Sequence, residues 1–90
     1  MKKTIITVVG HDQVGIIAKV CTYLANNLVY ILDISQTIVS GYFNMMMIVD
    51  VNEMKKEFGE LALELEQTGK EIGVIIKAQR EDIFDMMHHL

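Results

Sequence analysis

The sequence predicts an α+β sandwich in which two helices cover one face of a four-stranded antiparallel sheet. Several short segments alternate apolar and polar residues, as half-buried strands do, and two longer segments repeat apolar residues every third or fourth position, as helices with one buried face do. The chain has 90 residues, of which 51% are hydrophobic. We therefore expect a single domain, residues 1–90, with one hydrophobic core.

The first strand and the first helix follow from residue type and spacing. Residues 3–9 are rich in β-branched side chains, which favour a strand. Helical spacing then predicts a helix over residues 13–28 that ends near Asn26 and Asn27. Its predicted buried stripe consists of Ile17, Val20, Cys21, Leu24 and Leu28.

A hairpin is predicted next, with strands over residues 29–39 and 42–51. Ser40 and Gly41 form a turn of the length that two-residue hairpins use. In the first of these strands, alternation places Tyr30, Leu32, Ile34 and Ile38 on one face. In the second, the more apolar face carries Phe43, Met45, Met47, Val49 and Val51.

The second half of the chain predicts a helix, a strand and a short terminal helix. Asn52 is a favourable N-cap residue, and Gly69 is expected to end the helix. The buried stripe of this helix is expected to contain Phe58, Leu61, Ala62 and Leu65. Residues 73–79 are predicted to form the fourth strand, and residues 80–90 an amphipathic helix.

The resulting order is β-α-β-β-α-β with an additional C-terminal helix. Right-handed crossovers place both long helices on one face and arrange the strands as 4-1-3-2, the ferredoxin-like sandwich. The other face is only partly polar, so we expect the C-terminal helix or another subunit to cover part of it.

The turn after the first strand contains the spacing Gly10-x-Asp12-x-x-Gly15, one substitution away from the dinucleotide fingerprint. A carboxylate in place of the second glycine repels a pyrophosphate, so this turn is not expected to bind phosphate. Two interpretations stay open. Asp12 caps the following helix, or the free N–H groups of the helix bind a carboxylate while Asp12 or a carbonyl binds an ammonium group. The second arrangement suits an amino acid.

Several classes of function are disfavoured. The net charge of −4, and the placement of the neighbours Tyr42 and Phe43 on opposite faces, argue against nucleic-acid binding. The adjacent residues His88 and His89 do not form a chelating pair, and His11 has no nucleophile as partner, so neither a metal site nor catalysis is expected. The absence of a long apolar run and the single cysteine, Cys21, favour a cytoplasmic protein that does not bind membranes.

With the turn and the topology established, "VVGHDQVGIIAKV" and "ILDISQT" make the whole chain resemble the ACT domain family, and more narrowly its small stand-alone bacterial members. The resemblance implies a regulatory module that binds an amino acid between two domains paired side by side. Tyr30 stands where relatives often have an asparagine that reaches the ligand. The implied binding residues are Gly10, His11, Asp12, Gln13, Val14, Gly15 and Ile16 of one subunit, with Tyr30 and Ile31 of its neighbour.

We therefore expect a non-catalytic homodimer, without a cofactor, that binds a small metabolite at its interface. The alternative is an interaction module whose sheet edge and open face bind an unidentified protein partner, without a small ligand.

Overall fold

The computed structural model describes residues 2–88, and the side chains of residues 2–86. Its sheet has the order β2-β3-β1-β4, and each neighbouring pair is antiparallel, so the predicted ferredoxin-like topology is confirmed. The elements along the chain are β1 (Lys3–His11), α1 (Ile16–Asn26), β2 (Tyr30–Val39), β3 (Tyr42–Asp50), α2 (Phe58–Ile72), β4 (Val74–Arg80) and α3 (Glu81–His88).

The core lies between the sheet and the two long helices, α1 and α2. The alternation predicted for β3 is confirmed: Phe43, Met45, Met47 and Val49 are all buried. The remaining buried apolar side chains of this cluster are Ile6, Val8, Ile16, Val20, Leu24, Val29, Leu61, Leu65, Val74 and Ile76. The side of the sheet that faces this core is called the helix face below, and the opposite side the open face.

Helix α1 begins at Ile16, three residues later than predicted. Gly15 precedes it with a left-handed backbone (φ 97°), which turns the chain from the β1–α1 loop into the helix. No side chain caps this end, so the interpretation of Asp12 as the helix cap is wrong. The buried stripe is also shifted by one residue at its start, because Ile16 is buried whereas Ile17 is exposed.

The C-terminal end of α1 is a Schellman motif. The N–H of Val29 donates to the Leu24 carbonyl at 3.0 Å, and the N–H of Leu28 donates to the Ala25 carbonyl at 3.2 Å. This arrangement requires a left-handed residue at position 28, and Leu28 adopts it with φ 60°. The sequence predicted Leu28 as part of the buried helix stripe. That prediction is wrong, because Leu28 lies beyond the helix and is exposed.

The β2–β3 hairpin turns through Ser40 and Gly41, as predicted. Both have positive φ (52° and 80°), which identifies the type I′ geometry that matches strand twist. Strand β2 contains a bulge, because Ile31 pairs with Val49 while Asp33 pairs with Ile48. The predicted common face of Tyr30, Leu32, Ile34 and Ile38 is therefore wrong as a whole: Ile34 and Ile38 share a face, but Tyr30 does not lie on it.

Because of the bulge, even-numbered residues on its two sides lie on opposite faces of the sheet. Residues that pair directly lie on the same face. Ile31 pairs with the buried Val49 and Ile34 with the buried Met47, so both lie on the helix face. Tyr30 pairs with Asp50 and lies on the open face instead.

Both predicted ends of α2 are wrong. Asn52 does not cap the helix; its Oδ1 accepts a hydrogen bond from the Lys2 backbone N–H at 3.0 Å, and the N-cap is Glu57. Gly69 does not end the helix either, because Gly73 occupies the left-handed C-cap position (φ 80°). Gly69 lies inside the helix and is buried against β4.

Helix α3 packs on the open face against β1 and β4. It leaves Ile5 of β1 buried, which fits the expected partial cover by the C-terminal helix. Arg80 belongs to β4 rather than to this helix, and residues 89–90 of the predicted helix lie outside the described part of the chain. The rest of the open face exposes large side chains: Val9, Val39, Tyr42, Met46 and Ile75.

Candidate functional site

The loop that joins β1 to α1 is attached to the β2–β3 hairpin at its first residues. The backbone N–H of Asp12 donates to the Gly41 carbonyl at 2.8 Å. The ring of His11 stacks on the ring of Tyr42, with centroids 4.9 Å apart and planes 30° apart. Because β3 begins beside the end of β1, the hairpin turn supports the loop directly.

Gln13 attaches the same loop to α2. Its Nε2 donates to the carbonyl of Ile72, the last residue of α2, at 2.5 Å. Carbonyl groups at a helix C-terminus have no partner within the helix, so the side chain of Gln13 satisfies one of them. Among the predicted binding residues, Gln13 thus already has a structural partner.

The remaining part of the loop exposes unpartnered groups of both signs. The carboxylate of Asp12 makes no hydrogen bond or ion pair with any residue in the described range. The N–H groups of the first turn of α1 have no acceptor within the helix, since the first helical bond runs from Lys19 N–H to the Gly15 carbonyl at 3.0 Å. A carboxylate and a set of free N–H donors are therefore available within one short segment.

The apolar residues of this segment divide into two kinds. Val14 is fully exposed, so its side chain is available for contact with a ligand or a second subunit. Ile16 is buried in the core and is the first residue of α1, so its side chain is not available to a ligand. In the predicted site, Ile16 would therefore offer its backbone N–H rather than its side chain.

Within one subunit, the two halves of the predicted site lie at opposite ends of the sheet. Tyr30 pairs with Asp50, which pairs with Lys3 at the start of β1. The loop instead follows His11, at the other end of the nine-residue strand β3. At the ordinary rise of a strand the two ends are about 27 Å apart. One chain does not bring Tyr30 and Ile31 to its own loop.

Strand β2 forms an edge of the sheet and is largely uncovered. On its helix face, Ile34 and Ile38 are 43% and 57% exposed. On its open face Tyr30 is 72% exposed, while Ile31 on the helix face is half-buried. This edge therefore offers apolar side chains on one face and unpaired backbone groups along its length.

A polar network joins α1 to α2 away from the loop. The hydroxyl of Tyr23 donates to Oε1 of Glu64 at 2.6 Å, and Lys56 Nζ donates to the same oxygen at 2.5 Å. Burial, followed by the hydrogen bond to Glu64, raises the pKa of Tyr23. The hydrogen bonds from Lys56 and then Tyr23 lower the pKa of Glu64. We assign this network to helix packing, because it joins side chains of α1, of α2 and of the segment just before α2.

Other chemistry finds no support in the described residues. No three His, Cys, Asp or Glu side chains there are grouped so that they could hold a metal ion. Cys21 is a free, half-buried thiol that packs against the core. The side chain of His88 and all of His89 lie outside the described range. None of the helices described is long and apolar enough to cross a membrane.

Sequence reasoning identified the loop but not the residues that support it. Tyr42 and Gly41 contact the loop from the hairpin, and Ile72 contacts it from α2. The predicted strand order already places the start of β3 beside the end of β1, which was a signal for the hairpin contacts. Nothing in the sequence indicates the Gln13 contact with Ile72, because it depends on where α2 ends.

Comparison with known proteins agrees with the fold described above. A family model described as ACT domain matches residues 2–79. The chain is 60% identical to a UPF0237 protein from Bifidobacterium longum, with 100% of both chains covered. It superposes on an ACT domain protein from Streptococcus pneumoniae with a TM-score of 0.82 and 42% identity, over 93% of this chain and 94% of that one.

A formyltetrahydrofolate deformylase from Pseudomonas syringae shares the fold alone. Its TM-score is also 0.82, but the identity is 21%, and the match covers 89% of this chain and 28% of that one. The family assignment depends instead on the family model and the B. longum relative, both of which span most or all of the chain. The chain therefore belongs to the ACT domain family.

Proposed function

We propose that this protein is a non-catalytic regulatory module that binds an amino acid between two copies of the chain. Membership of the ACT domain family supports a regulatory, ligand-binding role. The observation that carries the proposal is the pair of unpartnered groups in the β1–α1 loop, the Asp12 carboxylate and the first-turn N–H groups of α1. An amino acid presents one ammonium and one carboxylate, which match these groups in sign.

A second copy of the chain would complete the site. Antiparallel pairing of two β2 edges about a two-fold axis places the Tyr30 end of one strand beside the Val39 end of the other. The Val39 end is the one that carries the hairpin turn and the loop. Such pairing would bring Ile31 of the second copy to the loop end on the helix face, and would cover Ile34 and Ile38.

The chemistry of the site follows from these groups. The ligand carboxylate would accept hydrogen bonds from the first-turn N–H groups, and its ammonium would pair with Asp12. Val14 and the second copy's Ile31 would contact an apolar ligand side chain. A ligand bound between two copies favours the paired arrangement only to the extent that it binds that arrangement better.

A thermal-shift screen of the common amino acids at millimolar concentration tests the ligand. At least one of them is expected to raise Tm, and Asp12→Asn should abolish that shift because it removes the charge that pairs with the ammonium. Asp85→Asn is the matched control, since Asp85 is an exposed carboxylate on α3, away from the loop. The absence of any shift in the whole screen contradicts the proposal.

Sedimentation tests the assembly separately. The expected result is a dimer at micromolar concentration, and Ile34→Glu together with Ile38→Glu should convert it to a monomer by placing charges on the paired edge. Ile75→Glu is a control on β4 of similar exposure. A wild-type monomer, with and without amino acids, contradicts the two-copy site.

One observation favours a second candidate function, the protein-interaction module. The open face of the sheet exposes Val9, Tyr42, Met46 and Ile75, and α3 covers only its β1–β4 end. Exposed apolar surface of this kind marks interaction sites. Recovery of one stoichiometric partner protein, together with no response to amino acids, would favour this function over the first.

A further inference from the structure

A cavity lies at the end of the sheet opposite the β1–α1 loop, and the function proposed above does not use it. It has a volume of about 610 Å³. The start of β1, residues 51–58 and the start of α3 enclose it. A cavity of this size lies within the range that small-molecule sites occupy. Five cationic side chains line it: Lys2, Lys3, Lys55, Lys56 and Arg80.

This concentration of positive charge is unusual for the chain. The protein has eight Lys and Arg residues and a net charge of −4, so five of its eight cations line one cavity. Two of the five have carboxylate neighbours, since Lys56 pairs with Glu64 and Arg80 Nε lies 4.0 Å from Asp82 Oδ1. The other three make no ion pair within the described range: Lys2, Lys3 and Lys55.

Two helix N-termini add to this positive potential. Helix α2 begins at Phe58 and α3 at Glu81, and both residues line the cavity. At the start of α2 no side chain caps the backbone, and the first intrahelical bonds come from Glu60 and Leu61 to the Glu57 carbonyl. The N–H groups of Phe58 and Gly59 are therefore left for another acceptor. The carboxylates of Glu57, Glu81 and Asp82, which also line the cavity, offset only part of the charge of its five cations.

Thr4 provides the observation that indicates a ligand rather than a solvated surface. It lines the cavity, is 1% exposed, and is the one residue of the described range with a buried side-chain oxygen that lacks a hydrogen-bond partner. A buried hydroxyl without a partner costs free energy, and native proteins rarely leave one. An oxygen atom bound in the cavity would accept the hydrogen bond that Thr4 cannot donate within the protein.

We propose that this cavity is a second binding site, for a small oxyanion with more than one negative charge. The Thr4 hydroxyl and the free N–H groups of α2 donate hydrogen bonds to its oxygens, while Lys2, Lys3 and Lys55 neutralise its charge. Phosphate esters and polycarboxylates share this chemistry. The site is separate from the amino-acid loop, because it lies at the other end of β1.

Isothermal titration calorimetry on the full chain at low ionic strength tests the proposal, with inorganic phosphate, pyrophosphate and citrate as probes. The expected result is saturable binding of a multivalent anion at millimolar concentration or below. Sodium chloride at equal ionic strength is the control, and chloride is expected not to bind. Binding of pyrophosphate in preference to citrate would assign the site to phosphates, and the reverse order would assign it to polycarboxylates. The absence of binding by all three probes overturns the proposal.

Two sets of variants locate the binding. Lys3→Gln together with Lys55→Gln should weaken it by about tenfold or more, because charge-assisted hydrogen bonds are lost. The matched control is Lys19→Gln together with Lys77→Gln, which removes the same charge from α1 and β4, away from the cavity. Equal weakening in both double variants would show a general charge effect and overturn the assignment.

Thr4→Val gives a readout that a charge effect does not change. Valine has nearly the same shape and removes the unpaired hydroxyl, so Tm of the free protein should stay constant or rise. Anion binding should weaken severalfold at the same time. A lower Tm with unchanged binding would show that the hydroxyl serves the fold and not a ligand.

Discussion

Replacing Gly69 by alanine sets helix propensity against packing, and the structure predicts which of the two is larger. In a helix interior, alanine is more favourable than glycine by roughly 0.5–1 kcal/mol. At position 69, however, a Cβ atom would lie 2.6 Å from the backbone oxygen of Val74 and 3.1 Å from Cγ1 of Ile76. A carbonyl oxygen of a neighbouring strand cannot rotate away, so α2 or β4 has to move.

Overpacking of this kind costs about 1–3 kcal/mol, which exceeds the gain in propensity. Gly69→Ala is therefore expected to lower the free energy of unfolding by about 0.5–2 kcal/mol, the difference between these two ranges taken end by end. For a domain of this size the corresponding loss in Tm is between about 2 and 16 °C. Urea unfolding followed by circular dichroism measures the change, with m unaltered if the variant still folds to the same compact state.

Gly59→Ala is the matched control in the same helix. A Cβ atom at position 59 meets no heavy atom within 4 Å, so only propensity acts there. That variant is expected to gain up to about 1 kcal/mol. A Gly69→Ala protein as stable as the wild type, or more stable, would falsify the close approach of α2 to β4 described above.

Three further predictions concern the end of α1, the polar network and the hairpin. Leu28→Gly should raise the free energy of unfolding by up to about 1 kcal/mol, because the left-handed backbone strains a leucine, and the urea midpoint should rise with it. A clear loss of stability would show that the half-exposed side chain packs more than its exposure indicates. The lowered pKa of Glu64 means that its contribution to stability is present above pH 4.5, the ordinary pKa of a glutamate, and is lost as pH falls through the lower folded-state value. Stability measured from pH 7 to pH 3 should therefore fall more steeply in the wild type than in Glu64→Gln, and parallel curves would contradict the network with Tyr23 and Lys56. Ser40→Asn should stabilise the protein by roughly 0.5 kcal/mol, since type I′ turns favour asparagine before glycine, and a decrease would argue against that turn type.

Residue alternation and turn chemistry made most of the fold predictable. The alternation in residues 42–51 identified the buried face of β3, and Ser40-Gly41 identified the hairpin, because both patterns are local. Right-handed crossovers then left few possible strand orders. The ends of α2 were not predictable in the same way. Asn52 and Gly69 are residues that often cap helices, but whether they do so depends on the packing of α2 against β4.

The loop that forms the candidate site was predictable as a segment, but its contacts were not. The loop at residues 10–16 stands out by its glycine spacing, whereas the roles of its members depend on tertiary structure. The side chain of Gln13 bonds to the end of α2, and Ile16 enters the core. The cavity around Thr4 was not predicted at all, because its lysines come from distant parts of the chain. Neither composition nor spacing indicates that kind of convergence.

The bulge in β2 has a consequence for how this protein avoids uncontrolled aggregation. A flat edge strand with apolar side chains can add further strands without limit, and irregular edges are a means by which proteins prevent such growth. The bulge at Leu32 breaks the regular ladder, so the regular part of the edge is confined to the seven residues 33–39. A chain inserted against this edge would keep its side chains in phase over that short stretch only. Deletion of Leu32 would restore one continuous ladder from Tyr30 to Val39, and would be expected to promote fibre formation.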